Sequence, residues 1–169
     1  MNWILELESR GFSLEEVCEE DLQDFITVEK LSHHRYVAQH PGFFGPWNEA
    51  VLVESFHQKR KTTFFKKVYR QNELAGFLGY DEKPSGIQGV FVRILPPFQG
   101  NGIGTLFLNR LKALSRQLGI PVILAVIKTN PAFSLYRRLG FEFFEEQGAL
   151  YFLRYPAQMK PADGDSRSK

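Results

Sequence analysis

The chain has 169 residues, of which 43% are hydrophobic and 14% aromatic, with a formal net charge of +2. This is enough apolar material for one folded domain, and it excludes a disordered chain. The small net charge argues against a general nucleic-acid binder, and no apolar run approaches the roughly 20 residues that span a bilayer.

Charge is nevertheless unevenly spread. Nine carboxylates face only Arg10 and Lys30 in the first thirty residues, whereas Lys59, Arg60, Lys61, Lys66, Lys67 and Arg70 form a basic run. That run, interleaved with Phe64 and Phe65, reads as a single-stranded nucleic-acid contact or as a solvated strand whose lysines guard an edge; the second is the expectation. Neither nucleic acid nor membrane is an expected partner. The lone Cys18 excludes an intramolecular disulfide and a cysteine zinc cluster. His33-His34 has no third ligand at a convincing spacing, so no metal is expected. Met1–Leu7 lacks a basic start and carries Glu6, which argues against a signal peptide and for a cytoplasmic protein.

In chain order, residues 12–17 (FSLEEV) read as a strand and residues 19–36 as a helix of mixed faces. Residues 40–47 (HPGFFGPW) read as an aromatic loop, and residues 48–57 as a helix capped by Asn48. Residues 62–70 and 73–80 form a hairpin around Gln71-Asn72. Residues 86–95 are a further strand, ended by Pro96-Pro97. Ile103, Leu106, Phe107, Leu111, Leu114 and Leu118 share one helical face, and Gly119 and Pro121 stop that helix. Residues 121–127 (PVILAVI) are a continuous apolar run, the pattern of a strand buried on both faces. Strand, helix and strand make a right-handed parallel crossover. Asn130 and Pro131 open a short helix with Gly140 past its end, and residues 141–145 and 149–154 close as an antiparallel pair. Residues 1–156 therefore read as one α/β domain with a mixed sheet, and residues 157–169 as a polar, disordered tail.

The stretch FVRILPPFQGNGIGTLFLNRL (91–111) carries the chemistry. Gly100, Gly102 and Gly104 run G-x-G-x-G, not the G-x-G-x-x-G of a dinucleotide fold, and no lysine follows as in a P-loop. What remains is a Q-x-x-G-x-G turn at a helix N-terminus, where unsatisfied N–H groups and a partial positive charge attract phosphate. A glycine-rich turn without a ligand is the plain alternative.

VRILPPFQGNGIG followed by KTNPAFSLYRRLGF resembles the GNAT superfamily of N-acetyltransferases, over roughly residues 12–155. The N-P-A-x-x-L-Y-x-x-L-G-F pattern and HPGFFGPWNEA are similar to one bacterial subgroup. The resemblance implies a GNAT-like α/β fold: a mixed, mostly antiparallel sheet with one parallel βαβ unit and helices on both faces. It implies acetyl-CoA as cosubstrate, with Gln99, Gly100, Asn101, Gly102, Ile103, Gly104 and Thr105 on the pyrophosphate. Val92, Arg93 and Ile94 would hold the pantetheine arm through main-chain bonds, as a peptide adds to a strand edge. Asn130 would contact the arm, and its competing role is a helix cap.

The implied reaction is direct transfer of acetyl to a primary amine, on a small molecule or a peptide. Tyr136 would protonate the departing thiolate, although its helical face also fits a core residue. Phe44 and Trp47, with Glu49 and Tyr80, are candidates for the acceptor pocket. Gln88, Arg93 and Ala125 occupy the neighbourhood where some relatives carry a glutamate base, and none can serve as a carboxylate; Glu49, Glu54, His57 and Glu82 leave the base unassigned. A catalytically silent CoA-binding sensor is the alternative. Monomer and homodimer are both open.

Overall fold

The computed structural model describes residues 2–157. The expectation of a disordered tail therefore falls, beyond residue 157, outside the described residues. Seven strands form one sheet in the order β1-β2-β3-β4-β5-β7-β6. They are β1 (Phe12–Glu16), β2 (Phe64–Arg70), β3 (Glu73–Lys83), β4 (Gly86–Ile94), β5 (Val122–Ile127), β6 (Glu142–Gln147) and β7 (Leu150–Tyr155). All neighbours are antiparallel except β4 and β5, which run parallel. The mixed, mostly antiparallel sheet is the one expected.

The parallel pair touches at a single register position, Ile87 opposite Val122. Toward their C-terminal ends the two strands part, so β4 has an inner edge that β5 does not cover.

Helices are α1 (Trp3–Ser9), α2 (Leu22–Ser32), α3 (His34–Val37), α4 (Pro41–Phe44), α5 (Glu49–Lys59), α6 (Ile103–Leu118) and α7 (Ala132–Arg138). They lie on both faces, because neighbouring strand residues point opposite ways. Phe77 joins Phe25, Val28, Phe56, Phe65 and Phe91 under α2 and α5. Leu78 joins Leu7, Ile103, Phe107 and Leu111 under α1 and α6, with Ala132 and Leu135 of α7 packed beside them. Phe25 and Phe107 are 1% and 0% exposed; burying a side chain of this size contributes about 1.5–3 kcal/mol.

Several expectations need correction. The helix expected over residues 19–36 is a 3₁₀ turn at Glu19–Asp21 followed by α2 and α3. The break is at His33, whose backbone (φ −129°, ψ −32°) leaves the helical region. Residues 41–44 of the expected loop form α4, opened by Pro41 in its first turn, where a missing N–H costs nothing. Strand β5 is not buried on both faces, since Ala125 is exposed. Helix α1 was not expected at all; the Asn2 side chain caps it by accepting from the Ile4 N–H at 3.1 Å, and Leu7 is fully buried.

The charge asymmetry resolves across the first strand pair. Acidic β1 lies antiparallel to basic β2. Lys66 pairs with Glu16, Arg60 with Glu19, and Lys67 with Asp21 at 3.0 Å.

Candidate active site

The end of β4 leads through a 3₁₀ turn (Pro96–Phe98) into the glycine turn and α6. Both Gly100 (φ +78°) and Gly102 (φ +76°) are left-handed, a conformation that costs a residue with a Cβ. Side chains of the turn hold its carbonyls. Gln99 Nε2 donates to Ile94 O at 2.8 Å, and Asn101 Nδ2 to Phe98 O at 2.9 Å. The N–H groups of Gly100, Asn101, Gly102, Ile103, Gly104 and Thr105, by contrast, have no acceptor among the described residues. A run of free donors at the start of a 16-residue helix is an arrangement that attracts anions such as phosphate.

On β4, Leu95 N–H donates to Ala75 O of the preceding segment at 2.8 Å. Because antiparallel bonding alternates by residue, Arg93 turns its main chain toward β3 as well. Val92 and Ile94 then turn theirs toward the gap left by β5. An extended amide-bearing chain can pair there as an added strand.

A cavity of about 360 Å³ opens over this gap. Val92, Arg93, Ile94, Gln99 and every residue from Gly100 to Thr105 line it, as does Asn130. The structure thus brings together the residues expected on the cosubstrate, apart from Tyr136. Asn130 also caps α7, its Oδ1 accepting from Ala132 N–H at 2.9 Å.

Tyr136 is one residue beyond Leu135, which lines the cavity. Its ring packs on Phe141, with centroids 6.1 Å apart. Burial raises its pKa above the ordinary phenol value, and the nearby Arg93 guanidinium partly opposes that rise.

Of the expected acceptor residues, none lines this cavity. Phe44 packs edge-on against Phe43, and Trp47 lies 4.3 Å from the His34 ring. Glu49 is exposed in the first turn of α5. Tyr80 stacks on Phe64 at 5.2 Å beside Phe107, on the face covered by α1 and α6. The segment carrying Phe44 is tied near the site: His40 Nε2 meets Thr129 Oγ1 at 3.3 Å, next to Asn130.

The corner between α2 and α3 adds residues that the sequence did not single out. Ser32, His33, Arg35 and Tyr36 line the cavity opposite the glycine turn. Burial, aided by the Arg93 charge, lowers the His33 pKa from 6.5 to about 3, so the imidazole there is neutral. Arg93 Nε donates to Glu29 Oε1 at 2.9 Å, and Lys59 Nζ lies 4.3 Å from the centre of the Phe91 ring. Burial, reinforced by Arg93 and partly offset by Glu29, lowers the Lys59 pKa to about 8. Cys18 lies elsewhere, its thiol donating to Asp21 at 3.2 Å, and that bond raises its pKa. Among the described residues, no group of three or more His, Cys, Asp or Glu is placed to hold a metal, and no helix is long and apolar enough to cross a membrane.

Comparison with known proteins agrees with this geometry. The family model described as Acetyltransferase (GNAT) family matches residues 17–141. No curated protein matches the chain. Among solved structures, the ribosomal-protein-S18-alanine N-acetyltransferase from Escherichia coli is 19% identical, with a TM-score of 0.64 over 90% of this chain and 97% of its own. The PaiA N-acetyltransferase from Thermoplasma acidophilum, in complex with coenzyme A, is 18% identical with a TM-score of 0.63, over 86% of this chain and 98% of its own. The yncA protein from Salmonella typhimurium, with its cofactor acetyl-CoA, is 14% identical with a TM-score of 0.61, over 90% and 97%. At these identities the likeness is one of fold. The family match covers well over half of the residues, and so the chain belongs to the GNAT family of acetyltransferases, which take acetyl-CoA as cosubstrate.

Proposed function

We propose that this protein transfers acetyl from acetyl-CoA to a primary amine by direct attack, in the manner of the subgroup with the N-P-A-x-x-L-Y pattern. The observation that carries the reading is the run of free N–H groups from Gly100 to Thr105 beside an uncovered strand edge. Bound there, acetyl-CoA supplies an activated acetyl thioester. The glycine turn binds its pyrophosphate, and the main chain of Val92 and Ile94 pairs with its arm. Ile94 N–H faces the acetyl oxygen as that atom gains negative charge.

Tyr136 gives its hydroxyl proton to the leaving sulfur. Its raised pKa keeps the phenol protonated at neutral pH, as an acid must be before it acts. The amine sheds its proton to water, since no carboxylate among the described residues lines the cavity. The acceptor enters between the α2–α3 corner and the segment carrying Phe44 and Trp47, small molecule and peptide both being within the reading. That missing carboxylate also favours the second reading, a catalytically silent CoA-binding domain.

A thiol-release assay with acetyl-CoA and a panel of amines separates the two. Amine-dependent release of CoA supports the enzyme; tight binding without release for any amine supports the silent domain.

A further inference from the structure

We propose that Arg10, at the end of α1, is a positioning residue that locks the phosphate cradle from behind. The inference rests on the reading of Gly100–Thr105 as the seat of the coenzyme A pyrophosphate. Arg10 Nη1 donates to Asn101 O at 3.1 Å, across 91 positions of sequence. Its Nη2 is held by Glu6 Oε1 at 2.8 Å, one turn earlier on α1. The guanidinium meets the turn end-on through Nη1: a Cβ on Gly102 would come within 2.3 Å of that atom.

The consequence follows from peptide geometry. In a trans peptide the C=O and the next N–H point in opposite directions, and no peptide of the described residues is cis. Holding Asn101 O toward α1 therefore turns Gly102 N–H away from α1. Asn101 and Gly102 line the cavity over β4, while Arg10 lines a different hollow between α1 and α6. An Asn-Gly peptide flanked by left-handed glycines can otherwise rotate at little cost. Arg10 removes that freedom before the phosphate arrives, which lowers the cost of binding. The lock comes from outside the stretch that matches the family model, which begins at residue 17.

The test is Arg10→Met, which keeps the stem and removes the donors, read in two ways. The first readout is calorimetric affinity for CoA and for acetyl-pantetheine, which lacks the phosphates. The second is the amide signal of Gly102 in the ligand-free protein. The lock predicts CoA affinity weakened about tenfold, or about 1.4 kcal/mol. It also predicts acetyl-pantetheine affinity unchanged, and a shifted, faster-exchanging Gly102 amide. Glu6→Gln, which frees the guanidinium without removing it, moves both readouts the same way by less, and keeps the test available if Arg10→Met does not fold.

Equal CoA affinity in wild type and Arg10→Met overturns the inference alone. Equal losses for both ligands mean general damage to α1 packing and also overturn it. Weakened CoA binding with an unmoved Gly102 amide means that Arg10 meets the phosphate itself, and overturns the lock. Wild type that binds no CoA overturns both the inference and the reading beneath it.

Discussion

Arg93 of β4 and Glu29 of α2 form a partly buried ion pair, with Arg93 Nε 2.9 Å from a carboxylate belonging to a residue only 5% exposed. The pair sits among like charges. Arg93 stacks over Phe91 at 4.5 Å, and Lys59 lies over the same ring at 4.3 Å. Glu29 is the counter-charge that both cations share. Removing it by Glu29→Gln leaves Arg93 partly buried and unpaired, which costs about 3 kcal/mol. Urea unfolding measures this as a lower midpoint at unchanged slope. A midpoint within experimental error of wild type would mean that Arg93 re-pairs with solvent.

His33 provides a test of the electrostatics at the α2–α3 corner. Its folded pKa is depressed to about 3, while the unfolded imidazole titrates near its ordinary 6.5. Between those values the unfolded chain binds the extra proton, so His33 costs stability as pH falls from 6.5 toward 3. The imidazole resonances of His33 are expected to stay constant from pH 8 to pH 5, and His33→Gln to gain stability on wild type as pH drops through that window. An inflection of the His33 signals near pH 6.5 would contradict the assignment.

Tyr136 separates chemistry from binding. Tyr136→Phe removes the proposed proton donor and leaves the glycine turn and β4 intact. Turnover should fall about 100-fold, the scale of general acid catalysis, with acetyl-CoA affinity retained. Because burial raises the phenol pKa above its ordinary value, any alkaline loss of wild-type turnover that belongs to this tyrosine should come at higher pH than for a free phenol. Full turnover in Tyr136→Phe would remove it from the mechanism.

Gly76 tests the backing of β4. It lies opposite Ile94 in the β3–β4 pair, and a Cβ there would fall 1.9 Å from Arg93 O. That atom is main chain and cannot swing aside. Gly76→Ala is expected to lose about 4 kcal/mol or more, read by thermal melting, or to fail to fold. A variant within about 1 kcal/mol of wild type would mean that β4 shifts freely, which is incompatible with a preformed edge.

The contiguous parts of the site were legible in the sequence, and the assembled parts were not. The glycine turn and α6 could be read because Gly102, the apolar face from Ile103 to Leu114 and Gly119 follow one another in the chain. Asn130 could be read as a cap because its partner, Ala132, is two residues away. Arg10 reaches Asn101 only through the fold, and no local pattern announces such a contact. The break at His33 has no glycine or proline to mark it; LSHHRY continues as helix by propensity alone, and burial of Ser32 and Tyr36 on either side goes with the turn. Strand parity places Tyr80 on the sheet face of Leu78 and Phe107. It alternates with Leu78, not Phe77, and so points toward α6.

In the proposed reading, the turn from Gln99 to Thr105 and the free edge of β4 together hold acetyl-CoA. Calorimetric titration of the protein with acetyl-CoA, with CoA and adenosine diphosphate in comparison, tests it most directly. Saturable one-to-one binding of acetyl-CoA and CoA is expected, with much weaker binding of adenosine diphosphate, which has the diphosphate but no arm for β4. No heat of binding at millimolar acetyl-CoA would contradict the reading and reduce the glycine turn to a strand-to-helix connection.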